Sequence, residues 1–583
     1  MLVFLFHDSF KKELAQNLVT GIKESLGVDI TWEKLYPLFG STPNKAAGDL
    51  AFPLFIIAKE AKTNPAQAAK KLEEIQFTLP SFIKKKMAAG PYLNFFFDFK
   101  VIGKEILPQI VEGKNFKKKL TENTPKTMVE YSQPNTHKEL HVGHMRNLCL
   151  GDALIRLHRY AGFNIIASTF PGDVGTHVAK CLWYLKYHYK GEIPQTRKGA
   201  WLGKMYSTAH NKLEEEKGSP LEAVNREQLT AILKQLEQKS GEFYDLWKET
   251  REWSIELMNE VYNWAGVKFD QWYWESEVDS DSVKLIREYQ SRGLFKEDEG
   301  AVGIDLSDYK LGFCMLLKTD GNGLYATKDI ELARRKFENN GIEKSIYVVD
   351  KRQEHHFKQV FKVLELMGFE NAGKCMHLQY DFVELPDGAM SSRKGNIVPL
   401  QSLIEEMVKM IKEQYLARYQ NEWPADEIEK TAQIVAKGAI KYGMTRIDPH
   451  KKIVFDMKEW LKLDGESGPY IQYAYARINS MIAKLGKPTT DELKFETPQE
   501  EDVIAHLMKF NNVVQEAVEQ YKPSYLTAYL YDLGRYYNSF YAECPVGSAP
   551  EPIRSSRLTL SKAVAETLKT GLSLLGIEAP ERM

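Results

Sequence analysis

The pair of histidines in His141-Val142-Gly143-His144 is the first group of side chains whose types and spacing point to chemistry. Two imidazoles so placed can donate hydrogen bonds to phosphate oxygens, and Gly143 between them lets a nucleotide come close to the backbone. A second cluster, Met390-Ser391-Ser392-Arg393-Lys394-Gly395-Asn396, follows the turn Pro386-Asp387-Gly388. Small, hydroxylated and cationic side chains on one loop suit a triphosphate, because the cations neutralise charge that builds in a transition state. Each cluster alone also reads more plainly, as histidines capping or bridging in a loop and as a basic surface loop. In this order, with a sheet between them, they favour phosphate handling at one site.

The elements around them fit that use. Thr127-Met128-Val129-Glu130-Tyr131-Ser132 has the β-branched and aromatic content of a buried strand. A helically spaced apolar segment runs from Gly143 to Tyr160 and closes at Gly162, and Phe163 to Thr169 reads as a second strand. This βαβ unit sets the histidines where a parallel strand ends and a helix begins, the place where open sheets bind ligands and helix amides attract phosphate. Residues from about 180 to 275 read as long helices with clustered tryptophans, an insertion in the sheet domain. Strand-like Gly300 to Leu306, Gly312 to Lys318 and Ser345 to Val349 then resume the α/β pattern, and beyond about Pro399 only helical periodicity remains. Before Asn123 a helical opening (Phe10 to Leu26) and an alternating strand (Tyr92 to Phe97) form a small α+β domain. The expected architecture is multidomain α/β plus all-α: an N-terminal α+β domain (1–123), a Rossmann-like parallel-sheet domain with the helical insertion (124–400), and a C-terminal helical bundle (401–583).

Composition excludes several classes. With 583 residues, 43% of them hydrophobic, the chain builds packed cores and is not disordered. A net charge of -1 excludes a polybasic nucleic-acid binder, so any such contact must be local. Residues 1–126 carry 19 basic and 13 acidic side chains, with Lys84-Lys85-Lys86, Lys114 and Lys117-Lys118-Lys119 prominent. That run suits either a solvated helix face with a charged linker or an RNA-facing patch. The cysteines (Cys149, Cys181, Cys314, Cys375, Cys544) are too scattered for a zinc knuckle or a C-x-x-C motif, which is cytosolic usage. The apolar run Leu2 to Phe6 ends before it could serve as an export signal, and no stretch nears the roughly 20 residues of a membrane span. A cytoplasmic protein without membrane contact is expected.

The motifs resemble those of class I aminoacyl-tRNA synthetases, and within them arginyl-tRNA synthetases. Val129 to Asn135 leading into Lys138 to Asn147 carries the likeness, with Gly172-Asp173, Gly175-Thr176, Tyr325 to Asp329, and Gln353-Glu354-His355-His356 as later blocks. Near the C-terminus, Gln472 to Ile478, Asn538 to Tyr541 and Leu574 to Met583 are similar to the family's anticodon-binding domain. The resemblance implies ATP-dependent attachment of L-arginine to tRNA(Arg) through an arginyl-adenylate, with ATP accompanied by Mg²⁺, no tightly bound protein metal, and a monomer. It places His141, Gly143, His144, Met390, Ser391 and Ser392 at ATP, and Glu130, Asn135, Tyr325, Asp329 and Gln353 at arginine. A planar, permanently charged guanidinium needs carboxylates and neutral acceptors at fixed places, and unpaired buried acceptors penalise lysine by roughly 1 to 3 kcal/mol each.

Two departures stand out. Ala389 and Ser392 occupy the positions where the family's phosphate loop usually has lysines, which leaves Lys138, with Arg393 or Lys394, as the expected catalytic cation. Val174 replaces a common aromatic residue after Gly172-Asp173. For RNA, the basic N-terminal domain with Lys84, Lys85 and Lys86 is the candidate for backbone contact at the tRNA elbow. Tyr473, Arg477 and Tyr541 are candidates for reading bases among helical tyrosines that otherwise form core. A small-molecule nucleotidylyltransferase would leave the insertion and the helical third without a task. A cysteine-specific synthetase would want a zinc cluster, and a non-catalytic RNA-binding relative would not need both phosphate-handling segments.

Overall fold

The computed structural model describes residues 8–386, 388–389, 398–489 and 491–583. They divide into two compact units. One comprises Met1–Glu122, Ile478–Gln515 and Asp532–Leu568, and the other Asn123–Arg477, Glu516–Tyr531 and Lys569–Met583. The C-terminal helices, which the sequence presents as one bundle, are thus shared between the units.

The larger unit is organised by a five-stranded parallel sheet in the order Cys375–Tyr380, Lys344–Asp350, Thr127–Glu130, Ile165–Thr169, Gln271–Trp272. Thr127–Glu130 is buried along its whole length, as a central parallel strand covered on both faces must be. Between the first two strands in sequence runs the helix Val142–Tyr160, most of whose residues are buried. Gly151 on this helix faces the ring of Tyr131, and a Cβ there would collide with it. Four helices, Thr176–Tyr187, Lys198–Glu215, Leu221–Glu237 and Glu242–Ala265, form the insertion, with Trp183, Phe243 and Trp247 in its core.

Two expectations change. The segments near 301 and 313 do not extend the parallel sheet; Lys296–Asp298, Ala301–Asp305 and Phe313–Leu317 form a separate antiparallel sheet with its own apolar cluster. Their short spacing permits hairpins and leaves no room for the helical crossover that a parallel pairing needs. Strand structure also recurs beyond Pro399, where Ile453–Val454 pairs in parallel with Val383–Leu385. Two residues are too short a run to leave a period in the sequence.

In the smaller unit, Asp8 caps the helix Ser9–Leu26 by accepting from the Lys11 N–H at 2.9 Å. A three-stranded antiparallel sheet has Tyr92–Phe97 between Leu50–Pro53 and Ile83–Ala89. The helix Phe99–Val111 meets Pro498–Leu507, where Gly103 makes space for the Ile504 side chain. A buried pair, Arg557 Nε to Glu500 Oε1 at 2.7 Å, ties this helical part together. Among the described residues no helix is long and apolar enough to cross a membrane.

Candidate active site

Successive strands leave Thr127–Glu130 on opposite sides, so the strand order reverses between it and Lys344–Asp350, and a crevice must open at their carboxyl ends. A cavity of about 620 Å³ occupies that position. Its walls include Glu130, Asn135, His141, Gly143, His144, Tyr325, Asp329 and Gln353, so residues from four separate motifs converge there. Met390, Ser391, Ser392, Arg393 and Lys394 lie outside the described residues.

His141 is the N-cap of the helix Val142–Tyr160. Its Nδ1 accepts from the Gly143 N–H at 3.1 Å, while His144 Nδ1 accepts from the His141 N–H at 3.1 Å, a reciprocal capping box made with imidazoles. With Nδ1 of each ring accepting, these hydrogen bonds assign the ring proton to Nε2, the atom left to face a ligand. Burial, helped by the Lys138 ammonium, brings His141 down to about 4. Burial, then His141 and Lys138, hold His144 well below the usual imidazole range. At neutral pH both rings are therefore uncharged N–H donors beside the free amides of a helix N-terminus.

The loop before this helix is fixed from two sides. Asn147 accepts from the Ser132 N–H at 2.6 Å and donates to Gln133 Oε1 at 3.1 Å and to the Val348 carbonyl at 3.0 Å. His137, buried and with φ of 59°, reaches Thr250 Oγ1 at 2.8 Å through Nε2, and its N–H donates to Ser254 Oγ at 3.0 Å. Gly172 pairs with Asn135 across an isolated bridge, and the Asn135 side-chain oxygen fills the space where a Cβ would be. Asp173 is buried against Arg251 at 2.8 Å and Ser276 Oγ at 2.7 Å, so the Gly-Asp block braces the wall.

The carboxylates require a revision. An acidic pocket is expected for a cationic substrate, and Glu130, Glu275, Asp329 and Asp350 do line the cleft. Each already has a basic side chain within 4.0 Å: Lys336 at 2.5 Å from Glu130, Lys328 at 3.9 Å from Glu275, His356 at 2.5 Å from Asp329, and Arg352 at 2.7 Å from Asp350. Burial, opposed by Lys328 and reinforced by Asp173, Asp329 and Asp279, pushes Glu275 up to about 7. Tyr325 is 72% exposed at the start of the helix Tyr325–Asn340, one turn before Asp329. Gln353 stands exposed on the rim.

The remaining candidates lie elsewhere. Lys138 does not line the cavity; its ammonium sits 5.2 Å from the centroid of the Tyr206 ring in the insertion. Lys84, Lys85 and Lys86 lie on the strand Ile83–Ala89 and not on a helix face. Lys84 pairs with Glu501 at 3.2 Å, Lys85 covers the Phe96 ring at 4.1 Å, and Lys86 turns inward to the Leu72 and Ile75 carbonyls. Arg477 is exposed, Tyr473 and Tyr541 are half-buried, and Tyr470, Tyr475, Tyr537 and Phe540 are buried.

Residues 106–457 match the family described as tRNA synthetases class I (R), catalytic domain. Residues 471–583 match the DALR anticodon binding domain, and 8–97 match the arginyl tRNA synthetase N terminal domain. The arginine–tRNA ligase of Bdellovibrio bacteriovorus is 54% identical, covering 99% of this chain and 100% of that protein. The chain belongs to the arginyl-tRNA synthetase family. The arginine–tRNA ligase of Parabacteroides distasonis is 32% identical over 98% of the chain and 100% of its own length. Thermus thermophilus arginyl-tRNA synthetase superposes with a TM-score of 0.78 at 28% identity, covering 98% of this chain and all of that one. The Plasmodium falciparum arginyl-tRNA synthetase shares the fold, with a TM-score of 0.74 at 20% identity over 98% of this chain and 99% of that one. The Rossmann-like sheet is thus the class I catalytic core of a ligase, with a helical DALR region at the C-terminus.

Of the basic side chains paired with this synthetase's cleft carboxylates, Lys328 and His356 fall within the motif blocks, whereas Arg352 borders one and Lys336 belongs to none. Lys336 lies eleven residues beyond Tyr325 in the same helix, three turns on, so helical periodicity places it near the cleft face. Its burial against Glu130 could not be read from one chain. Glu275 is likewise legible only once the strands are assembled.

Proposed function

We propose that this synthetase attaches L-arginine to tRNA(Arg) for protein synthesis. The observation that carries the reading is the convergence of neutral imidazole donors and carboxylates on one cleft at the switch point of the sheet. In the first step the arginine carboxylate attacks the α-phosphorus of ATP, and the bond to pyrophosphate breaks. In the second a terminal ribose hydroxyl of the tRNA attacks the arginyl carbonyl and AMP leaves. Neither step needs a protein nucleophile; the chain positions reactants and stabilises developing charge. His141 and His144 donate to phosphate oxygens, Gly143 admits the nucleotide, and Met390, Ser391 and Ser392 are assigned to ATP with them. Glu130, Asn135, Tyr325, Asp329 and Gln353 hold the amino acid.

Among the described residues no cluster of three or more His, Cys, Asp or Glu side chains suits a metal. Mg²⁺ fits this site as an ion arriving with ATP, held largely by phosphate and water oxygens, where it offsets phosphate charge. Amino-acid-dependent pyrophosphate exchange into ATP, run with every amino acid and with tRNA present, is expected to respond to arginine alone. Exchange driven by another amino acid would overturn the specificity.

Lys138 is assigned to the catalytic cation together with Arg393 or Lys394. Burial is the main cause of the lowering of both signature histidines, and the charge of Lys138 adds to it, which supports that assignment. Lys138→Ala is expected to slow adenylate formation at least tenfold with little change in the KM for arginine; an unchanged rate would remove Lys138 from the mechanism.

Residues 1–123, 124–400 and 401–583 divide the labour as RNA-backbone contact, catalysis and anticodon reading, in a cytoplasmic monomer. Lys84 and Lys85 remain RNA candidates, with Tyr473, Arg477 and Tyr541 at the anticodon. The inward set of Lys86 narrows the basic test to its neighbours. Reversing charge at Lys84 and Lys85 is expected to weaken tRNA binding severalfold and reduce its salt dependence while leaving arginine affinity unchanged. Unchanged tRNA affinity in filter binding would exclude the patch.

A further inference from the structure

The four basic side chains paired with the cleft's carboxylates are not equivalent. Lys336 is fully buried, Lys328 is shared between Glu275 and Asp279, and the guanidinium of Arg352 keeps its charge at any physiological pH. Of the four, the imidazole of His356 is the weakest base and gives up its proton most readily near neutral pH. Its Nε2 stands 2.5 Å from Asp329 Oδ2, and the two side chains remain 23% and 18% exposed, so a proton leaving the ring reaches water.

We propose that His356 is a place-holder for the substrate guanidinium, neutralising Asp329 as an imidazolium in the empty cleft and releasing its proton when arginine takes over that carboxylate. The inference rests on the reading of Asp329 as an arginine-binding residue. The chemistry is a single transfer: the N–H bond at Nε2 breaks, the proton passes to water or buffer, and the guanidinium replaces the imidazolium charge for charge. Asp329 is thereby never left as an uncompensated carboxylate in a partly buried cleft.

The surroundings favour a charged ring in the empty state. Burial alone would lower His356, but its bond to Asp329 and that carboxylate's charge prevail and raise it. From the helix Tyr325–Asn340 it faces Asp329 and the side of the cleft that Tyr325 lines. Glu275, from the helix Glu275–Ser291, couples to the same Asp329. His377, on the strand Cys375–Tyr380, is lowered mainly by burial and in part by His356. On its own helix the ring meets Phe357 edge-on at 5.4 Å, and the Asp350–Arg352 pair on the rim is already neutral.

The test is calorimetric titration of arginine into the full chain, in pairs of buffers with different ionisation enthalpies, from about pH 5.5 to pH 8.5. We expect close to one proton released per arginine bound on the acid side and none on the alkaline side, with apparent Kd weakening about tenfold per pH unit below the imidazole's pKa. His356→Gln, which keeps a hydrogen-bond donor without the charge, should abolish the release and flatten the profile, whereas Glu275→Gln should leave the release in place. Absence of release from the unsubstituted chain, or release that survives in His356→Gln and vanishes in Glu275→Gln, overturns the inference. No arginine binding at any pH would instead sink the arginine-pocket reading itself, and this inference with it.

Discussion

His144→Ala is expected to slow arginine-dependent pyrophosphate exchange by roughly 10²–10³-fold, the usual effect of deleting one preorganised donor from developing anionic charge. The side chain has two separable tasks. Its Nδ1 accepts from the His141 N–H and helps to start the helix Val142–Tyr160, and its Nε2–H is free for phosphate. Loss of the cap alone would lower stability by about 1 kcal/mol without touching the chemical step. His144→Asn separates them, because its amide oxygen can take the place of the Nδ1 acceptor but its side chain is too short to present a donor at the Nε2 position. Asn should therefore recover a good part of the stability lost in Ala, read by thermal unfolding, while remaining nearly as slow as Ala. A rate restored in Asn along with the stability would mean that capping, not donation, is the function of His144.

Acid is expected to be the most effective denaturant of the larger unit. His137, His141, His144, His158 and His177 are all held below the ordinary imidazole range, burial being the largest cause in each. The native state keeps these rings neutral, whereas the unfolded chain protonates them near pH 6.5. Below that pH the unfolded chain binds more protons, so stability falls as pH falls. The loss continues to the native values, about 3 for His137 and about 4 for His141 and His158. Between pH 6.5 and 5 each such ring removes roughly 2 kcal/mol. Glu275, raised to about 7, works in the opposite sense, because the native state takes up its proton first, and offsets about one histidine. Urea denaturation at pH 7.5, 6 and 5 should show a steep decline, and His137→Gln should reduce its slope by close to one proton. A stability that stays flat across this range would contradict the burial of these rings as neutral groups.

Much of this could be read from the chain before folding. His141-Val142-Gly143-His144 falls between a β-rich run and a helically periodic one, and that order alone places it at a strand end. Tyr325 and Asp329, four apart, share a helix face. What could not be read depends on partners distant in sequence. Lys336 pairs with Glu130 across 206 positions of chain, and Ile453–Val454 becomes a strand only because Val383–Leu385 lies beside it. The lysine run at 84–86 suits a helix by composition, yet its antiparallel partner Tyr92–Phe97 makes it a strand and turns Lys86 inward.

A cleft whose carboxylates come already matched with cations carries little long-range field. Arginine then reaches it with almost no electrostatic steering, and its association rate should barely respond to ionic strength. A polyanionic tRNA follows the opposite rule, since its binding releases condensed counterions. Raising salt would therefore starve this synthetase of its macromolecular substrate while leaving the supply of its small cationic one nearly untouched.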